Sequence, residues 1–98
     1  MQLIGKYVIV RTFSAGVFAG TLASRDGKEA VLTDTRRIWQ WSGAATLSEL
    51  AMRGTSDPDE CKFPCPVSLI LLTEVIEIIS CSAEGEKSIR EVPEWTAH

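Results

Sequence analysis

Apolar residues fall in short, dense runs separated by glycine, proline and charge, and the spacing inside each run predicts an element. Tyr7 to Phe13 is built around Val8, Ile9 and Val10, too rich in β-branched side chains for a surface helix, and predicts a first strand. Ser14-Ala15-Gly16 breaks it. Val17 to Ser24 predicts a second strand, in which the isolated Gly20 marks a bulge or a sharp bend. Arg25-Asp26-Gly27-Lys28 holds the Asp-Gly pair of a tight hairpin, whose central positions need positive φ. Glu29 to Thr33 is then the third strand, continuing after a kink at Asp34 through Arg37-Ile38-Trp39-Gln40-Trp41.

The pattern changes at Thr46. Thr46-Leu47-Ser48-Glu49 has the form of a capping box, Leu47, Leu50 and Ala51 follow helical spacing, and Gly54 is a stop, so a short helix is expected over residues 47 to 53. Thr55 to Pro66, with Pro58, Pro64 and Pro66, predicts a loop or irregular edge. Val67 to Thr73 and Val75 to Cys81 return to strand spacing around Glu74. Ser82 is placed to cap a terminal helix reaching Ile89 or Arg90 before Pro93, with Gly85 counting against it.

Strands joined by short turns, with a helix inserted at about 46–54 and a C-terminal segment over 82–98, predict a mainly β protein. The expected architecture is a small five-stranded, strongly bent barrel, because closure removes the edges that an open sheet exposes. At 98 residues and 45% hydrophobic, the chain suits one domain over 1–98 with a modest core.

Charge and cysteine content narrow the function classes. A net charge of −3 argues against a surface built mainly to neutralise a nucleic-acid backbone. Met1 to Lys6 lacks the apolar core of a signal peptide, and no apolar run approaches the ~18 residues of a membrane span. The expectation is a soluble protein of the cytoplasm with no membrane partner. Cys61, Cys65 and Cys81 are odd in number, and the single histidine, His98, is the final residue, where ends fray. Reduced cysteines packed as small hydrophobes are expected, with no metal and no cofactor.

Catalysis of hydrolytic or acid-base type needs a nucleophile with a base, paired carboxylates or an open metal, and the sequence offers none of these. Glu74 and Glu77 are close in sequence, but are expected in a solvated turn and on the outward face of a strand. The expectation is a protein that is not an enzyme.

Binding chemistry is present in "DTRRIWQWSGA". Arg36 and Arg37 supply planar donors suited to phosphate oxygens, and Trp39 and Trp41 supply π faces on which a base can stack. By strand alternation Arg37, Trp39 and Trp41 share one face, with Arg36, Ile38 and Gln40 on the other. The tryptophans either line a ligand pocket or fill a barrel mouth or subunit contact. Ser14, Ala15, Gly16 and Val17 are small enough to let a ligand or backbone approach, with amides able to hold an anion, and Phe13 and Phe18 flank them.

The segment "GKYVIVRTFSAGVFAGTLASRDGKEAVLTD", with "VSLILLTEVIEII" as closing strands, resembles the Sm-like fold and makes the expected barrel SH3/Sm-like. That resemblance implies a ring and RNA contacts near Asp26 and Glu74. Lys28-Glu29-Ala30 stands where that family has an asparagine, and the closing turn has no Arg-Gly. Over nearly the whole chain, through "GKYVIVRT", "SAGV", "AGTL", "RRIWQWSGA", "TLSELA" and "EVIEI", the sequence resembles a family of small uncharacterised proteins of tailed bacteriophages and prophages. Phage genes of this size include proteins that sequester the nucleotide messengers of bacterial immunity. The leading expectation is a homo-oligomeric binding protein of phage origin that sequesters a nucleotide-type immune signal in the infected bacterial host. Ser14, Ala15, Gly16, Val17, Phe18, Arg36, Arg37, Trp39 and Trp41 are its ligand-binding residues. The alternatives are an Sm-like RNA-binding module and a phage protein acting through protein contacts alone.

Overall fold

The computed structural model describes residues 3–97; Met1, Gln2 and His98, with the expectations that fall on them, lie outside the described residues. The elements are five strands, β1 (Tyr7–Thr12), β2 (Val17–Asp26), β3 (Glu29–Arg37), β4 (Val67–Leu72) and β5 (Val75–Ser80), with one helix, α1 (Leu47–Arg53), between β3 and β4 and a second, α2 (Ala83–Glu91), after β5. They form one antiparallel sheet in the order β4-β3-β2-β1-β5.

β4 and β5 follow one another in the chain yet lie at opposite edges, so the sheet must curl to bring Leu72 and Val75 to either side of a two-residue turn. The Val75 amide, donating to the Lys28 carbonyl at 2.9 Å, fixes that corner. The expected closed barrel is not reached: the sheet is bent, and β4 and β5 keep free edges. Their shared turn holds one pair of ends together and leaves the strands to diverge beyond it.

Two bulges in the β2–β3 ladder supply the bend, one between Ala19 and Thr21 and one between Leu22 and Ser24. Gly20 sits in the first. A Cβ there would lie 2.9 Å from the Thr33 carbonyl oxygen, so only glycine lets the strands approach. Across from it Asp34 takes φ of 50°, the kink that the sequence predicts at that position.

The apolar run at the start of β1 is continuous because both faces of the strand are buried. Tyr7 and Ile9 join Leu50, Ala51, Phe63 and Ile89 in a core on the helix side, whereas Val8 and Val10 join Phe18, Leu22, Leu32 and Leu72 inside the curl. Thr46 caps α1 by accepting from the Glu49 amide at 3.1 Å, and Ser82 caps α2 by accepting from the Gly85 amide at 2.9 Å. Gly85, which counted against α2, is required by it: a Cβ there would overlap the Ala51 carbonyl of α1.

β3 ends at Arg37 rather than running to Trp41. The Trp39 and Gln40 amides turn instead to the Lys62 carbonyl, at 3.1 and 3.3 Å, so the chain leaves the sheet to pair with the loop before β4. Within that loop Pro58–Glu60 forms a short 3-10 turn. Cys61 is buried and Cys81 partly buried against the helix-side core, as expected for reduced cysteines, but Cys65 is exposed between two prolines at the surface. Among the described residues, no helix is long and apolar enough to cross a membrane.

Candidate functional site

Arg36 and Arg37 are adjacent in β3 and leave it on opposite sides, as alternation requires. Arg37 lies across the strand pair from Phe18, its guanidinium carbon 4.4 Å from the ring centroid, and donates from Nη1 to the Ala15 carbonyl at 2.8 Å. That bond joins the end of β3 to the β1–β2 turn. Phe18 is buried beneath the guanidinium and Val17 packs on the helix-side core, so both support the surface from below. Ser14, Ala15 and Gly16 are exposed above it.

Two exposed aromatic side chains flank this contact along the chain, Phe13 at 76% and Trp39 at 65%. Trp41 is not with them. Because the strand breaks at Trp39, Trp41 turns inward against the helix-side core and its indole N–H donates to the Ala44 carbonyl at 3.1 Å. The expected common face of Arg37, Trp39 and Trp41 is therefore split by the bend. One acid borders the surface: the Ser14 hydroxyl donates to the Glu74 carboxylate at 2.6 Å. Glu77 is occupied elsewhere by Arg11 at 3.0 Å, so the two glutamates do not form a pair.

Arg36 is 7% exposed and faces the helices. Its Nη1 donates to the carbonyls of Ile89 and Val92 at the end of α2, its Nη2 donates to the Phe63 carbonyl at 3.1 Å, and its plane lies over the Phe63 ring. A cation at a helix C-terminus complements the macrodipole, and here it also satisfies carbonyls that the helix leaves open. Arg36 thus ties α2, the loop before β4 and β3 together, apart from the Arg37 surface.

Beside Arg36 is a cavity of about 340 Å³ lined also by Tyr7, Asp34, Arg90 and Glu94. Arg90 stacks on the Tyr7 ring at 4.5 Å and pairs with Glu86 at 2.8 Å. Burial pushes the Tyr7 hydroxyl up to about 12, so it keeps its proton at neutral pH; burial likewise pushes the Cys81 thiol up to about 12. Tyr7 opens the first strand that the sequence predicts, and nothing local signals that it borders this cavity. The Asp34 kink is the one legible sign of this region.

Residues 5–89 match a family described as a domain of unknown function, DUF6948. No curated protein matches the chain.

Proposed function

The chain belongs to the DUF6948 family, and from the chemistry of its own surface we propose that it is a non-enzymatic, homo-oligomeric binding protein for a nucleotide-type ligand. The observation that carries this reading is the exposed Trp39 two positions along the chain from Arg37, whose guanidinium is held at the end of β3. Arg37 is held in place by Phe18 and Ala15, yet makes one hydrogen bond among the described residues, which leaves donors for a phosphate. Trp39 offers an open ring for a base, worth about 1–3 kcal/mol as a stacking platform. The Ser14 to Gly16 turn borders Arg37 as a small-residue wall.

Assembly is supported by β4. Val67, Leu69 and Leu71 are exposed at alternate positions of a strand with a free edge, and an apolar stripe of that kind is ordinarily covered. A groove of about 590 Å³ beside β5, lined by Leu3, Ile4, Ile76 and Ile78 together with Arg25 and Glu77, offers a mixed apolar and charged surface at the other edge. The resemblance to tailed-phage proteins supplies the setting: capture of an immune signal in the cytoplasm of an infected host, so that defence is not triggered.

An RNA-binding reading draws on one contact, the Val75 to Lys28 bond that brings together the two turns where the Sm-like resemblance implies RNA. Those turns carry Asp26, Glu29 and Glu74 beside Arg25 and Lys28, which weakens an electrostatic grip on phosphate. Calorimetric titration with linear and cyclic purine nucleotides, and with an oligoribonucleotide, separates the readings. Arg37→Ala and Trp39→Ala should each weaken nucleotide binding by about 1–3 kcal/mol at unchanged melting temperature, with little salt dependence. Unchanged binding in both variants, or affinity confined to RNA and falling steeply with salt, would overturn the proposal.

A further inference from the structure

The edge strand β4 runs Val67-Ser68-Leu69-Ile70-Leu71-Leu72, without an ionisable side chain. Edge strands are ordinarily blunted by charge, proline or a bulge, because their free amides and carbonyls template another strand. β4 has none of the three: Pro64 and Pro66 precede it, and its pairing with β3 runs without a register shift.

The two faces of the strand differ. Ile70 and Leu72, opposite Leu32 and Ala30, join the core inside the curl. Leu69 and Leu71, opposite Thr33 and Val31, alternate onto the outer face, where they are 62% and 56% exposed, and Val67 begins the same stripe. α1 packs against β1 and β5, at the other end of the sheet, and leaves this stripe uncovered.

We infer that β4 pairs antiparallel with β4 of a second copy, about a twofold axis perpendicular to the sheet, so that two five-stranded sheets become one. The inference rests on the homo-oligomeric reading above and names its contact. Self-complementarity selects a second copy as the occupant. About such an axis one residue lies opposite its own equivalent, and every side chain stays on its own face. With Leu69 at that point, Leu71 meets Val67 of the partner subunit; with Ile70 there, Leu69 meets Leu71 of the partner subunit. In either register the exposed stripe continues into its own copy and no charge is opposed. The other free edge lacks this property, since β5 carries Glu77 at its middle and self-pairing would set two carboxylates against each other. An isologous β4 contact also uses up both β4 edges, so every assembly built on it holds an even number of chains.

Native mass spectrometry and amide hydrogen exchange of the full chain, free of nucleotide, test the contact. The unaltered protein should be an even-numbered multimer whose β4 amides exchange about tenfold or more slowly as concentration rises through the micromolar range. Leu69→Lys and Leu69→Glu each place a charge at an exposed position; each should halve the mass and lose protection in β4, while β1 to β3 keep theirs. Mixed together, the two variants should re-form a pair holding one chain of each. Ile76→Lys, at an exposed position of β5, should leave mass and β4 protection unchanged. An odd-numbered multimer, β4 exchange that is independent of concentration, or a full-sized Leu69→Lys multimer would overturn this contact and leave homo-oligomerisation standing. A monomer at every concentration would overturn both and leave the edge to a foreign strand.

Discussion

Arg36 and Arg37 differ by one position and have opposite consequences. Arg36→Met would leave the buried Val92 carbonyl without a donor among the described residues and take a second donor from the Ile89 and Phe63 carbonyls, and should cost about 1–3 kcal/mol. Arg37→Met loses one exposed hydrogen bond and a stacking contact on Phe18, and should cost less than about 1 kcal/mol. Urea denaturation of the two variants measures the difference; equal losses would contradict the assignment of Arg36 to the scaffold and Arg37 to the surface. Alternation in the sequence places the two arginines on opposite faces. It does not say which face is buried, because the groups that bury Arg36 come from Phe63, Ile89 and Val92, distant in the chain and invisible to any local pattern.

Elements whose boundaries are set locally are legible, and those set by a distant partner are not. The caps at Thr46 and Ser82 and the stop at Gly54 lie where the sequence predicts them, since each is satisfied within a few residues. The hairpin after β2 also forms, but with Asp26 paired to Glu29 its central residues are Gly27 and Lys28, and Gly27 takes positive φ while Asp26 does not. The end of β3 depends on Lys62, more than twenty residues on, and the sequence overextends it to Trp41. Gly85 illustrates the same division, because its helix propensity is unfavourable while its contact with Ala51 is obligatory. In an exposed helix Gly→Ala gains about 1 kcal/mol. Gly85→Ala should instead destabilise the fold by about 2 kcal/mol or more, since the methyl would force α2 off the backbone of α1. A melting temperature raised by this substitution would show that the two helices are not in contact as described.

At the scale of the whole molecule, the sheet curls without closing, and this single feature links the fold to the proposed assembly. A sealed barrel would have no free strand; this one leaves β4 and β5 unpaired on their outer sides and sets an apolar stripe along β4. The proposed nucleotide surface lies on the same sheet, where Arg37 meets the β1–β2 turn. The most direct measurement of the central claim is native mass spectrometry of the full chain incubated with a panel of linear and cyclic purine nucleotides. The account predicts a multimer whose mass rises by intact nucleotide, recovered unmodified on release. A monomer free of nucleotide across the whole panel would contradict it.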